Sequence, residues 1–136
     1  MKRIIIDCDP GNGIAGANVD DGLAIALALA APEVKLELIT TVAGNTPSQQ
    51  GFNVAKDLIE RLGLPVPVVK GADAALAEPV EPWRQALDGR VENTPQAQLW
   101  RGVRQPLAFS APEIDAADAI GQLICANPGK ITLVAI

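Results

Sequence analysis

The stretch "DCDPGNGIAGANVDD", residues 7–21, decides between two kinds of fold and site. Its centre, residues 11–16, spells the GxGxxG pattern of a dinucleotide-binding loop. Two pairs of aspartates flank these glycines: Asp7 and Asp9 before them, Asp20 and Asp21 after them. The glycines predict a cradle of backbone N–H groups for phosphate, and the aspartates predict a pocket of carboxylates for a cation.

The residues around this stretch predict an α/β fold with a parallel, doubly wound, Rossmann-like sheet. Residues 2–8 are a β-rich segment with three successive isoleucines that ends in acid, typical of a buried parallel strand. Helices and strands then alternate: a helix from Asp20 to Pro32, a strand over 34–44, a helix from Thr46 to Gly63 and a strand over 66–71. A further helix after Ser110 ends at "NPG", and "KITLVAI" is the fourth strand.

Two of the predicted helices have capping-box spacing at their starts. Thr46 is followed by Pro47 and, three residues on, by Gln49; Ser110 is followed in the same way by Glu113. We therefore expect Thr46 and Ser110 to cap their helices through their hydroxyl groups.

The chain has 136 residues, which is enough for one α/β domain over residues 1–136. Residues 72–109 interrupt the alternation and predict a long irregular segment, with one short helix around residues 82–87. The sequence stops inside the fourth strand, without the helix that should cover it. We therefore expect an N-terminal fragment of a longer domain, truncated after this strand.

Composition excludes several classes of function. The net charge of −5 and the lack of a basic run argue against binding to nucleic acid or to an anionic membrane. The apolar stretch at the N-terminus is too short for a signal peptide or a membrane span, so a cytoplasmic location is expected. The sequence has no histidine and only two distant cysteines, which excludes Ser-His-Asp and Cys-His catalysis within this chain. Carboxylate chemistry remains.

Three features count against the phosphate cradle, and a fourth favours the cation pocket. Asp7 and Asp9 would lie beside the pyrophosphate, where like charges about 5 Å apart repel by roughly 3 kcal/mol at an effective dielectric constant of about 20. The helix begins nearer Asp20 than Gly16, and the second strand ends in "TTV", without an acidic residue for a ribose. Four carboxylates gathered at one sheet edge would repel each other unless they bound a hard cation, Ca²⁺ or Mg²⁺.

Three motifs resemble one family. "IIIDCDPG" (4–11), "DDGLAIALAL" (20–29) and "ITTVAGN" (39–45) are similar to the N-terminal half of the nucleoside hydrolases, the inosine–uridine-preferring N-ribohydrolases. That family opens with DxDPGxDD and has a [VT]xGN turn after its second strand. The resemblance implies a fold of the nucleoside hydrolase type and hydrolysis of ribonucleosides to ribose and free base. It also implies a homo-oligomer, a dimer or a tetramer.

The resemblance also implies roles for individual residues. Asp9 would bind Ca²⁺ and act as the general base for the attacking water, and Asp21 would bind the ion with both oxygens. Asp7 would support the metal shell, directly or through water, and the backbone carbonyl of Ile136 would be a further ligand. Asp20 would bind a ribose hydroxyl, and Asn45 would position the ribose or the water. Because the rest of the family's site lies outside these residues, the 136-residue chain is expected to be inactive alone.

Two departures from the family pattern leave alternatives open. Eight residues, 12–19, stand where the family has one, and they either bulge outward, change which nucleoside enters or disturb the metal. Residues 72–109 also lack the histidine that many members carry there. Two other functions remain: a non-catalytic binder of metal or ribose, and a phosphatase of the haloacid dehalogenase type with Asp7 as its nucleophile.

Overall fold

The computed structural model describes residues 1–88, 91 and 94–136. Within these residues, the strands are β1 (Lys2–Cys8), β2 (Val34–Thr41), β3 (Val68–Lys70) and β4 (Ile131–Ala135). The helices are α1 (Asp20–Ala30), α2 (Ser48–Leu62), α3 (Trp83–Asp88) and α4 (Ala116–Ala126), with a 3₁₀ helix at Pro95–Trp100. Among the described helices, none is both long enough and apolar enough to cross a membrane.

The strands form one parallel sheet in the order β3-β2-β1-β4, which confirms the predicted fold class. β1 lies between β2 and β4, and both faces of the sheet are covered by helices. This burial explains why β1 reads as a continuous run of isoleucines rather than as an alternating pattern. At the carboxyl end of the sheet, Asp7 is in register with Thr40 on one side and with Ala135 on the other.

Two apolar clusters fix the helices on opposite faces of the sheet. One cluster packs Ile25 of α1 and Phe52 of α2 against the face that carries Ile6. The other packs Ala116 of α4 against Ile5 and neighbouring residues. Each large apolar side chain that is fully buried contributes about 1.5–3 kcal/mol to stability. Because both faces of the sheet carry such side chains, packing on both sides holds the carboxyl edge of the sheet in place.

Both predicted capping boxes are wrong. α2 begins at Ser48, and the Thr46 hydroxyl donates to the carbonyl of Pro10 at 3.5 Å rather than to the start of the helix. α4 begins at Ala116, where the carboxylate of Asp115 accepts a hydrogen bond from the backbone N–H of Ala117 at 2.8 Å. The predicted end of α2 is confirmed, because Gly63 adopts a left-handed conformation with φ of 64°.

The segment over residues 72–109 contains α3 and the 3₁₀ helix, so the short helix predicted near residues 82–87 is present. Residues 89, 90, 92 and 93 of this segment lie outside the described residues. The chain then passes over α2, where the carboxamide of Asn53 accepts a hydrogen bond from the backbone N–H of Phe109 at 3.0 Å. Phe109 also packs against the apolar cluster of that face, which fastens the end of the segment to the core.

The start of α4 can be tested through its N-cap residue. We expect Asp115→Ala to lower the free energy of unfolding by about 1 kcal/mol, because an N–H at the helix start loses its acceptor. Ser110→Ala, the matched change at the residue predicted from sequence to cap this helix, should leave the stability nearly unchanged. Urea unfolding followed by circular dichroism measures both. The assignment of Asp115 is wrong if Ser110→Ala costs as much as Asp115→Ala.

Candidate functional site

The predicted site residues lie at the carboxyl edge of the sheet, around the end of β1. Asp7 is the penultimate residue of β1 and Asp9 follows that strand directly. Asp20 and Asp21 are the first two residues of α1, as predicted. Asn45 belongs to the turn between β2 and α2. The parallel order of β1 and β2 therefore brings both turns to one edge of the sheet.

The carboxylate of Asp9 is held by Asn45 through two hydrogen bonds. The backbone N–H of Asn45 donates to Oδ2 at 2.6 Å, and its side-chain Nδ2 donates to Oδ1 at 2.9 Å. Each carboxylate oxygen has two acceptor positions, so each keeps one for a further partner. Asn45 thus orients Asp9 while leaving its carboxylate able to accept a proton or bind a cation.

Gly44 allows this close approach. A Cβ atom placed on Gly44 would lie 1.7 Å from Oδ2 of Asp9, so any side chain at this position would displace the carboxylate. The turn "VAGN" therefore needs glycine for space and asparagine for hydrogen bonding. The sequence contains this glycine in a recognisable motif, but the motif does not tell which carboxylate the backbone approaches.

Asp21 contacts Asp9 from the other side. Its Oδ2 accepts a hydrogen bond from the backbone N–H of Asp9 at 2.7 Å, and the residue is only 4% exposed. Burial raises the pKa of Asp21 to about 6, and interactions with the side chain of Asp9 and the charge of Asp20 act in the same direction. Asp20 itself is exposed. The site therefore contains a buried carboxylate whose negative charge is poorly compensated.

Asp7 has a different partner, which the sequence did not indicate. The hydroxyl of Thr40 donates to Oδ1 of Asp7 at 2.5 Å, from the residue that lies in register with it on β2. The backbone carbonyl of Asp7 accepts a hydrogen bond from the N–H of Ile136 at 3.0 Å. Ile136, predicted to offer its carbonyl to the metal, is thereby placed beside the end of β1.

Cys8 lies between the two aspartates at the end of β1 and is fully buried, as the alternation of side chains predicts. Burial raises the pKa of its thiol far above the usual range, and the charges of Asp21, Asp7 and Asp9 add to this effect. A thiol in this environment stays protonated at neutral pH, so Cys8 is a core residue rather than a nucleophile.

The carboxylates fit a hard cation in their chemistry. Asp9 and Asp21 are in contact and provide oxygen ligands, and a cation near them would offset the charge that raises the pKa of Asp21. Within the described part of the chain, however, no three carboxylate, thiol or imidazole groups are close enough to hold a metal ion together. The remaining ligands would have to be carbonyl groups, water or the hydroxyls of a substrate.

The loop over residues 12–19, called the insertion below, folds back on itself. The N–H of Ile14 donates to the carbonyl of Gly11 at 2.9 Å, and the N–H of Ala17 donates to the carbonyl of Ile14 at 3.2 Å. At the base of the loop, a Cβ on Gly11 would lie 2.3 Å from the Cβ of Ala17. This pinched base lets the loop bulge outward while Asp9 and Asp21 stay hydrogen-bonded. The glycines are separated from the start of α1, so they do not form the helix-linked cradle of a dinucleotide site.

The insertion also packs against the irregular segment. Gly13 has φ of 84°, and a Cβ there would lie 3.2 Å from the carbonyl oxygen of Arg104. Gly16 has φ of 83°, and a Cβ there would lie 2.9 Å from the carbonyl oxygen of Leu87. These two glycines thus combine a left-handed backbone with a close contact, and they join the two parts of the chain that depart from the family pattern.

A doubly wound parallel sheet with paired carboxylates at the end of β1 defines the class of this protein as α/β, with its candidate site at the carboxyl edge of the sheet. A family model described as inosine-uridine preferring nucleoside hydrolase matches residues 4–136, and the chain belongs to this family. The sequence is 37% identical over 134 residues to the non-specific ribonucleoside hydrolase RihC of Klebsiella pneumoniae (strain 342), covering 98% of this chain and 39% of that protein. It is also 37% identical over 135 residues to RihC of Salmonella agona (strain SL483), with the same coverage of both chains.

Solved structures show the same relationship. The chain is similar to a purine-preferring ribonucleoside hydrolase from Gardnerella vaginalis, with a TM-score of 0.71 and 28% identity over 98% of this chain and 40% of that one. It is also similar to the plant nucleoside hydrolase PpNRh1, with a TM-score of 0.68 and 27% identity over 99% of this chain and 39% of that one. The chain thus spans about two fifths of the length of the relatives it matches, as the sequence predicted.

Docking of the insertion can be tested with a matched pair of glycines. Gly16 and Gly102 have nearly the same φ, 83° and 84°. A Cβ on Gly16 would have neighbours within 4 Å, whereas a Cβ on Gly102 would have none among the described residues. We expect Gly16→Ala to destabilise the protein by at least about 1 kcal/mol more than Gly102→Ala, because both changes strain the backbone and only the first meets the Leu87 carbonyl. Urea unfolding measures the difference. Equal losses would show that the insertion is not packed against this segment.

The raised pKa of Asp21 predicts a pH-dependent stability. Its pKa rises from an ordinary 3.8 to about 6 on folding, so proton binding to Asp21 stabilises the folded state. This contribution to the free energy of unfolding is complete below about pH 4 and is lost as the pH rises through 6. Asp21→Asn removes the charge but keeps an oxygen that can accept from the N–H of Asp9. We expect the free energy of unfolding of this variant, relative to that of the wild type, to increase between pH 4 and 7.5 by up to about 3 kcal/mol.

The comparison is made by urea unfolding in buffers that contain a chelator, so that no divalent cation offsets the charge. Asp118→Asn, which removes an exposed carboxylate from the first turn of α4, controls for the change in net charge. A stability difference for Asp21→Asn that does not change with pH, or that decreases toward pH 7.5, would contradict the burial of a charged Asp21.

Proposed function

We propose that this chain provides the metal- and ribose-binding part of an enzyme that hydrolyses the N-glycosidic bond of ribonucleosides to ribose and free base. The observation that carries the proposal is the position of Asp9, whose carboxylate is fixed by Asn45 and whose N–H is bound by Asp21. The names of the relatives, which include a non-specific and a purine-preferring ribonucleoside hydrolase, support the substrate class.

In this reaction, water attacks the anomeric carbon of the ribose while the bond to the base nitrogen breaks and its electron pair leaves with the base. Asp9 is suited to take the proton of the water, since its carboxylate is oriented and each oxygen keeps a free acceptor position. Asp20 is exposed at the start of α1 and would bind a ribose hydroxyl. The leaving base needs a proton as well, and the chain has no histidine to supply it.

Asp9 and Asp21 would hold the proposed Ca²⁺ ion, supported by Asp7 and by the carbonyl of Ile136. A Ca²⁺ ion in this position would supply positive charge that orients the ribose hydroxyls and acidifies the attacking water. Asn45 has a distinct role in this proposal: it positions Asp9, in addition to the predicted contact with the ribose or the water. The family assignment removes the phosphatase alternative, whose nucleophile would have been Asp7.

The proposal is tested by two readouts on the same variants. Addition of Ca²⁺ should raise the melting temperature of the wild-type chain at pH 7.5, whereas Asp9→Asn and Asp21→Asn should abolish this shift and Asp118→Asn should keep it. A shift that survives in both Asp9→Asn and Asp21→Asn would place the ion elsewhere.

Hydrolysis is measured as release of ribose from inosine and from uridine. We expect no release by the 136-residue chain, and release by a hybrid in which residues 1–136 replace the matching part of Klebsiella RihC. In the hybrid, Asp9→Asn should lower kcat by about 10²–10⁴, the usual contribution of a general base. A folded hybrid that binds Ca²⁺ and ribose but releases no sugar would favour the non-catalytic alternative. We also propose the dimer or tetramer that the family resemblance implies, and light scattering on both proteins tests it.

A further inference from the structure

The turn that carries Asn45, residues 42–47 between β2 and α2, is also attached to the end of β3. Asn45 orients Asp9 through two hydrogen bonds, so the groups that fix this turn also fix the carboxylate of Asp9. Near the start of the turn, the N–H of Ala43 donates to the carbonyl of Ala72 at 3.0 Å. The turn ends where α2 begins, at Ser48.

Three polar side chains attach Ser48 to the same residues after β3. The hydroxyl of Ser48 donates a hydrogen bond to Oδ1 of Asp73. Nζ of Lys70, the last residue of β3, donates to that carboxylate oxygen at 2.7 Å and to Oγ of Ser48 at 3.2 Å. Each of these side chains is therefore a partner of the other two, and together they are called the β3 clamp below.

The burial and charge of the β3 clamp indicate a local effect rather than a general one. Ser48 is buried, whereas the side chain of Asp73 is 74% exposed. Hydrogen bonds from Lys70 and Ser48 hold the pKa of Asp73 below its usual range, so this carboxylate is charged at neutral pH. Because an exposed ion pair adds little to global stability, the consequence of the clamp is the position of the residues that it joins.

Both ends of the turn are thus joined to residues 72 and 73, with Gly44 and Asn45 between them. We propose that Ser48, Lys70 and Asp73 are positioning residues. They hold the turn so that Asn45 keeps the carboxylate of Asp9 in the orientation in which it can take a proton. The part of this inference that concerns catalysis rests on the proposed function, whereas the effect on Asn45 does not.

NMR spectra of the ¹⁵N-labelled chain test the inference through the signals of Asn45. Asp73→Ala removes the acceptor of the β3 clamp, and Asp73→Asn keeps an oxygen that can accept the same hydrogen bonds. We expect both amide signals of Asn45 to shift in Asp73→Ala and its backbone N–H to exchange with solvent at least about tenfold faster. Asp73→Asn should restore the wild-type signals. Glu60→Ala, which removes an ion pair with Lys56 near the other end of α2, should leave them unchanged.

Two results in these spectra would overturn the inference. The first is a set of Asn45 signals that does not change in Asp73→Ala. The second is an equal loss of protection at the N–H of Ile39, which donates to the carbonyl of Pro67 in the core, because the variant would then loosen the whole fold. If Asp73→Ala does not fold, Ser48→Ala removes the hydroxyl donor instead, and the same shifts are expected.

Release of ribose by the hybrid with Klebsiella RihC measures the consequence for catalysis. A small displacement of a reacting group slows a reaction strongly, so we expect Asp73→Ala to lower kcat by at least about tenfold. Asp73→Asn and Glu60→Ala should keep the kcat of the unchanged hybrid. An unaltered kcat in Asp73→Ala would overturn the positioning role. An unchanged hybrid that releases no ribose would count against the proposed function instead, and the Asn45 signals would then decide the inference.

Discussion

The hydrogen bonds of Asp9 hold together three parts of the chain on which the candidate site depends. Its backbone N–H binds the start of α1 through Asp21, and its carboxylate binds the turn after β2 through Asn45. This convergence is possible because β1 and β2 are parallel neighbours, so that both turns leave the sheet at the same edge. The central position of β1, with isoleucines buried on both faces, keeps that edge fixed.

The same arrangement explains how the chain accepts eight residues, 12–19, where the family has one, within the motif that supplies Asp7, Asp9, Asp20 and Asp21. The loop is pinched at Gly11 and Ala17, so its length is taken up outside the hydrogen bond between Asp9 and Asp21. Its outer part packs on the backbone of residues 87 and 104. The insertion therefore contacts the irregular segment, so the two parts of the chain that depart from the family pattern pack against each other.

Local patterns predicted the elements but failed at two helix starts. The order of strands and helices follows from apolar runs and from the glycines and prolines between them, and these signals involve only neighbouring residues. Capping-box spacing is equally local, but a hydroxyl can take a distant partner. Thr46 donates to Pro10 because the β1 turn lies against it, and α4 starts late because the preceding residues cross from one apolar cluster to the other.

The sequence by itself determined the fold class, the family and the identity of the carboxylates, because β-branched runs, helix patterns and the DCDPG, DD and VAGN motifs are contiguous in the chain. Only the tertiary structure decided what each carboxylate contacts: Asp9 with Asn45, Asp7 with Thr40 and Asp21 with a backbone N–H. These contacts join residues that are between 12 and 36 positions apart in the sequence. They depend on strand register and on the packing of helices, which no local pattern specifies.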